Sequence, residues 1–229
     1  MAAPLHRDSL DACVFDAYGT LFDLRAAAER HGDALGERKE ALLTLWRSKQ
    51  LEYTWLRSLR GDYTDFWHVT GESLDHAMAV TGITEPLLRS RLMAAYFALE
   101  AFPDAKDAVS RLKAAGLKTA ILSNGSTSML TGAVGNAGMH RLFDHLISVD
   151  EVHTYKPHPS VYRLATERLE CGAGRICFIS ANAWDASAAA HFGYRAVWLN
   201  RANSIFDPLP GRPEREITAL AALPALLGV

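Results

Sequence analysis

The sequence predicts an α/β fold, a doubly wound parallel sheet with a helical subdomain inserted after its first strand. Three observations predict it. Short, continuously apolar segments bounded by polar or Gly residues recur along the 229 residues and read as strands buried on both faces. Amphipathic helical stretches separate them, and strand–helix–strand alternation pairs strands in parallel. Between about 24 and 100 that rhythm stops, and apolar residues recur only at three- and four-residue spacing.

In chain order, ACVF (12–15) is the first strand. Three helical stretches follow: LGERKEALLTLWRSKQLEYTWLRSL (35–59), TDFWHVTGESLDHAMAVTG (64–82) and PLLRSRLMAAYFAL (86–99). DAKDAVSRLKAAG (104–116) puts Ala108, Leu112 and Ala115 on one helical face and stops at Gly116. KTAIL (118–122) and HLISV (145–149) are strands, SVYRLATERLE (160–170) a helix, RICFIS (175–180) a strand, WDASAAAHFG (184–193) a helix and RAVWL (195–199) a strand. The chain therefore divides into an α/β core, 1–23 plus 101–229, and a helical cap subdomain, 24–100.

Composition narrows the function. With 49% hydrophobic and 22% charged residues the chain is neither disordered nor fibrous. A chain this long buries roughly 70–75% of its unfolded surface and needs no disulfide or metal to fold. A net charge of −2 offers no attraction to nucleic acid or an anionic membrane. No apolar run approaches the ~20 residues that span a bilayer, and MAAPLHRDSL lacks the apolar core of a signal peptide. Cys13, Cys171 and Cys177, odd in number and irregularly spaced, argue for free thiols in a reducing cytoplasm, Cys13 and Cys177 as small buried hydrophobes. The histidines show no metal-ligand spacing, so no metal site is expected.

In an open parallel sheet, reactive groups collect at the carboxyl ends of the strands. Asp16 follows ACVF; Ser123 and Asn124 follow KTAIL; Lys156 follows HLISV beyond a short turn; Ser180, Asn182 and Asp185 follow RICFI. Singly, each has an ordinary reading. Ser123 suits the N-cap of the next helix, Asp185 an acid near a helix start, and Lys156 a solvated loop. Together, a carboxylate, a hydroxyl, an amine and a second carboxylate at four strand ends mark one crevice.

The segments FDAYGTLFD, SNG, YKPHPSVY and SANAWD, in this order around a helical insertion, resemble the haloacid dehalogenase superfamily over nearly the whole chain. LWRSKQLEYTWLRSL and SANAWDA make the resemblance closest to its L-2-haloacid dehalogenases, whereas DxxGT is shared with many superfamily phosphatases. The resemblance implies a Rossmann-like core, hydrolysis of short (S)-2-haloalkanoic acids to 2-hydroxy acids with inversion, no cofactor, and a homodimer through the inserted helices. Its alternative is a magnesium-dependent phosphatase of a small phosphorylated metabolite.

Two positions separate these readings. Superfamily phosphatases hold magnesium with an Asp two residues after the nucleophile and an acid in the fourth motif; Tyr18 and Ala181 stand there, and neither ligates a cation. Without a cation, a phosphate dianion would be repelled by Asp16 and Asp185. A departing halide is a weak base and needs only donors or a fixed positive charge.

Residue by residue, the resemblance implies Asp16 as the nucleophile that forms an ester, and Thr20 as the hydrogen bond that fixes it. It implies Arg47 as the cation facing the halide, and Asn124 as a halide or substrate contact. Ser123 and the backbone after Asp16, at Ala17 and Tyr18, would hold the substrate carboxylate. Lys156 would pair with Asp16, and Tyr162 follows it at the family's spacing. Ser180, Asn182 and Asp185 would position the hydrolytic water, with Asp185 activating it directly or through Lys156. By its own residues, Tyr162 reads equally well as a core aromatic, and Arg47 as a surface residue of its helix. Tyr18, Leu51, Phe66 and Trp184 would wall an apolar pocket. Two departures stand out: Ala181 where these enzymes commonly carry a second Ser, and His158 in place of an acid in KPxP.

Overall fold

The computed structural model describes residues 5–25 and 35–229. Residues 1–4 of the amino-terminal segment and 26–34 at the start of the expected insertion lie outside the described residues. The five apolar runs form β1 (Ala12–Phe15), β2 (Lys118–Ser123), β3 (His145–Ser148), β4 (Ile176–Ser180) and β5 (Arg195–Leu199). β1, β4 and β5 are buried at every residue, as strands covered on both faces must be. A sixth strand, β6 (Arg215–Ile217), joins the edge; with only Ile217 buried it carries no apolar run to reveal it.

The sheet is parallel throughout, in the order β3-β2-β1-β4-β5-β6. Ala12 of β1 pairs with Lys118 on one side and Ile176 on the other. Successive strands are laid outward from β1 in one direction, then from β4 in the other, so the switch point falls between β1 and β4. A ligand crevice belongs there, outside the carboxyl ends.

Between β1 and the next core helix lie α1 (Lys39–Arg60), α2 (Phe66–Thr81) and α3 (Pro86–Ala95). Leu42, Trp46, Gln50 and Thr54 are buried along one face of α1, a four-residue repeat, and they meet α2. The polar members of this stripe are paired. Gln50 Nε2 donates to Thr70 Oγ1 (2.7 Å) and to the Tyr96 hydroxyl (3.2 Å), and Trp46 Nε1 donates to the Thr70 carbonyl (2.9 Å). The segment leaves and re-enters the core at one neck: Phe102 N–H donates to the Leu21 carbonyl (2.9 Å), Asp23 N–H donates to the Glu100 carbonyl (2.9 Å), and Phe22 bridges Ala101.

The core helices are α4 (Ala105–Ala114), α5 (Thr127–Asn136), α6 (Pro159–Leu169), α7 (Ala183–Phe192) and the short α8 (Leu223–Leu227). Gly116 takes φ +80° just past α4, a conformation L side chains rarely adopt. Ser126 caps α5, accepting from the Met129 N–H, so Ser123 stays in β2. His158 caps α6 through its ring nitrogen, which accepts from the Ser160 N–H (3.2 Å), and Pro159 supplies the preset first turn. All three cysteines are free and buried. Among the described residues no helix is long and apolar enough to cross a membrane.

Candidate active site

Asp16 is the first residue beyond β1, and its N–H donates to the Ile179 carbonyl of β4 (2.9 Å), which places it on the switch point. Both oxygens of its carboxylate are held. Lys156 Nζ donates to Oδ1 (3.2 Å); Thr20 Oγ1 (3.0 Å) and Asn182 Nδ2 (2.9 Å) donate to Oδ2. The Thr20 hydroxyl also accepts from the Ala181 N–H (2.8 Å), so one side chain joins the loops after β1 and β4.

Lys156 lies beyond β3 with its side chain 1% exposed, and Nζ donates to Asp185 Oδ2 (2.8 Å) as well as to Asp16. The Tyr162 hydroxyl donates to Asp185 Oδ1 (2.8 Å), while its ring packs against Phe178, Phe192 and Tyr194. Tyr162 is thus at once core aromatic and site residue. One ammonium serves two buried carboxylates, and it also stands 5.0 Å from the centre of the Phe178 ring. Burial alone would pull the Lys156 ammonium down, but Asp16 and Asp185 outweigh it and lift it above the ordinary lysine range. Burial pushes the Asp185 carboxyl up; Lys156 pulls the other way, the nearby Asp16 charge adds to the rise, and the Tyr162 hydroxyl opposes it. A carboxylate held so is a stronger base than one in water.

Arg47 reaches the site from α1. Its Nη1 donates to Gln50 Oε1 (2.7 Å) and its Nη2 to Asn182 Oδ1 (3.4 Å). Asn182 therefore faces Asp16 with its NH2 and Arg47 with its carbonyl. Ser180 Oγ accepts from the Asn182 N–H (3.1 Å), and Asn124 Oδ1 accepts from the Lys156 N–H (2.9 Å). Ser123 is buried, its Oγ accepting from the Gly125 N–H (3.0 Å). The Ala17 carbonyl accepts from the N–H groups of Leu21 and Phe22 and closes the turn that carries Tyr18.

Tyr18 is buried between Phe66 and Tyr96, each ring centre 5.8 Å away, and its hydroxyl has no protein partner among the described residues. It occupies the notch left by Gly125: a Cβ there would lie 2.5 Å from the Tyr18 hydroxyl and 2.7 Å from Cε2. A methyl cannot enter without driving the boxed ring out of place. Gly125→Ala is expected to cost about 1–3 kcal/mol of stability, read as a lower urea midpoint. A wild-type midpoint would show that the ring moves freely.

A cleft of about 1080 Å³ opens beside these residues, with Arg47, Leu51, Asn182, Trp184 and Trp198 in its walls. Phe66 stands behind Tyr18 instead. The sequence reading did not include Gln50, which seats Arg47, or Phe178 beneath Lys156. It also missed Arg201, which donates to the Thr20 carbonyl (3.2 Å) and pairs with Asp104 (2.9 Å). A Gln in register with Trp46 on an apolar stripe was the one available signal.

The groups that touch the Asp16 carboxylate, an ammonium, a hydroxyl donor and an amide N–H, are hydrogen-bond donors, not cation ligands. Tyr18 presents an aromatic ring and Ala181 a methyl where a magnesium site would need acids. Among the described residues no three His, Cys, Asp or Glu side chains gather as a metal-binding group.

A parallel sheet of this order, with a buried aspartate just beyond its first strand at the switch point, is the setting of a class of hydrolase: the haloacid dehalogenase-like hydrolase family model matches residues 10–193, and the chain belongs to that family. It is 45% identical over 221 residues, 96% of this chain and 97% of the relative, to (S)-2-haloacid dehalogenase 1 of Pseudomonas sp. (strain CBS-3). Among solved structures it resembles a dehalogenase with an intermediate complex, at TM-score 0.94 and 41% identity, covering 96% of this chain and 98% of the other. It also resembles the L-2-haloacid dehalogenase of Xanthobacter autotrophicus with chloropropionic acid covalently bound, at TM-score 0.86 and 36% identity, covering 95% and 98%.

Proposed function

We propose that the protein hydrolyses the carbon–halogen bond of short (S)-2-haloalkanoic acids through an ester on Asp16, without a metal ion. The observation that carries this is the Asp16 carboxylate, fixed by Lys156, Thr20 and Asn182, with Arg47 across Asn182. An Asp16 oxygen attacks the α-carbon from the side opposite the halogen. The new C–O bond forms as the C–halogen bond breaks, and the halide leaves with the electron pair toward Arg47 and Asn124. Attack from behind inverts the α-carbon. Ser123 and the backbone at Ala17 and Tyr18 take the substrate carboxylate, and Leu51 and Trp184 face the alkyl group.

Water then adds to the Asp16 Cγ. Its proton passes to Asp185, directly or through Lys156. The Cγ–O bond to the product breaks, the product oxygen is protonated, and Asp16 is regenerated. A single turnover in H2(18O) with enzyme in excess is expected to place heavy oxygen in the Asp16 carboxyl and not in the hydroxy acid. Label entering the product directly would refute the ester. Turnover of (S)-2-chloropropionate is expected to survive exhaustive chelation, as halide release measures. Loss restored by magnesium, or magnesium-dependent phosphatase activity instead, would favour the phosphatase.

Residues 24–100 act on this reading as a cap that delivers Arg47 and Leu51. Three buried free thiols support a reducing cytoplasm as its location. Leu56 and Leu59, 47% and 84% exposed on α1, support a homodimer through the inserted helices. Sedimentation as a monomer at micromolar concentration would overturn that assembly.

A further inference from the structure

Asp150, which the mechanism does not use, joins three segments. Its Oδ1 accepts from the Tyr63 hydroxyl in the α1–α2 loop (2.5 Å), and its Oδ2 accepts from the Thr127 N–H at the start of α5 (3.1 Å). Its own N–H donates to Ser148 Oγ (3.1 Å), which in turn donates to the Gly125 carbonyl (2.8 Å). The same loop is stitched on by Tyr155. The Tyr155 N–H donates to Ser58 Oγ near the end of α1 (3.0 Å), its hydroxyl donates to the Thr64 carbonyl, and its ring lies 5.2 Å from that of Tyr63. The carboxyl end of α1 is therefore clasped to the core.

We propose that Tyr63 and Asp150 are positioning residues, whose hydrogen bond registers α1 on the core so that Arg47 faces Asp16. The inference rests on the halide role proposed for Arg47. Arg47 lies thirteen residues before the end of α1 at Arg60, about 20 Å along a rigid helix. A tilt of a few degrees at the clasp displaces the guanidinium by about 1–2 Å, and misplacement of that size costs as much as ~100-fold in rate. On the proposed mechanism ester hydrolysis is carried by Lys156, Tyr162 and Asp185 in the core, and Arg47 has no direct part in it.

Rapid-quench single turnovers of (S)-2-chloropropionate by the full-length protein separate the two steps. Tyr63→Phe and Asp150→Asn are each expected to slow chloride release about tenfold and leave ester hydrolysis unchanged, and the double variant is expected to slow no further than either alone. Wild-type chloride release in either variant, losses that multiply, or equal slowing of both steps would overturn the proposal. Amide exchange by mass spectrometry tests the clasp without turnover. Exchange in 61–66 and 150–155 is expected to rise together in either variant, and a response confined to the altered loop would refute the coupling. Absence of dehalogenation by the wild type would instead overturn the reaction assigned to the site, with exchange still deciding the clasp.

Discussion

Asp16→Asn is expected to lower kcat for (S)-2-chloropropionate by at least about 10⁴-fold, the scale on which removal of a covalent nucleophile acts. An amide oxygen carries no full charge and cannot form the ester that water later cleaves. The fold is expected to persist. Asn keeps an oxygen for Thr20, and Lys156 retains its 2.8 Å contact with Asp185. Halide release checks the loss, far-UV circular dichroism checks the fold, and intact mass confirms that the substituted amide has not hydrolysed back to a carboxylate. A variant with more than a few per cent of wild-type activity would mean that water, not Asp16, attacks the α-carbon.

Lys156→Met is expected to be the most damaging change to stability, about 3–5 kcal/mol, because it removes one partner of a buried charge cluster. Met fills much of the space, so the loss is electrostatic. Activity is expected to fall at least about 100-fold, since the proposed mechanism activates water through the Lys156–Asp185 pair. The pH dependence has a definite sign. Burial already pushes Asp185 up, and without the ammonium nothing but the Tyr162 hydroxyl resists that rise. A carboxyl raised in the folded state contributes stability below its unfolded value of about 4, and that contribution is lost as pH rises through the raised value. The deficit against wild type is therefore expected to widen from pH 4 to pH 8, as urea midpoints report. The wild-type lysine behaves differently: lifted above 10.5, it keeps its contribution throughout the neutral range and loses it only as pH climbs through that higher value. A deficit constant with pH would show that packing, not charge, is what Lys156 supplies.

The five central strands were legible because burial on both faces forces an unbroken apolar run, a signal local to the strand. β6 was not, since an edge strand of three residues with two exposed obeys no such constraint. α8 was missed because LPALL is too short to show a period. The N-cap of α5 at Ser126, not Ser123, reflects the ambiguity of a serine pair around Asn-Gly. In the site, residues following strand ends could be placed because the topology places them. Residues acting across the insertion could not, apart from Arg47 and Leu51, which the family resemblance supplied. Tyr63 and Asp150 owe their roles to contacts between segments 87 and 23 positions apart, for which one chain carries no local signature.

The neck at Leu21–Asp23 and Glu100–Phe102 brings the two ends of the inserted segment side by side as hydrogen-bonded partners. Whatever loops out between them imposes no span on the sheet, so its length and shape can vary without stretching β1 or α4. The scaffold that holds the reacting carboxylate is in this sense a socket. Exchange of the plugged-in helices would rewrite what the crevice admits, and would replace Arg47 as well, while Asp16, Lys156 and Asp185 keep their places on the sheet.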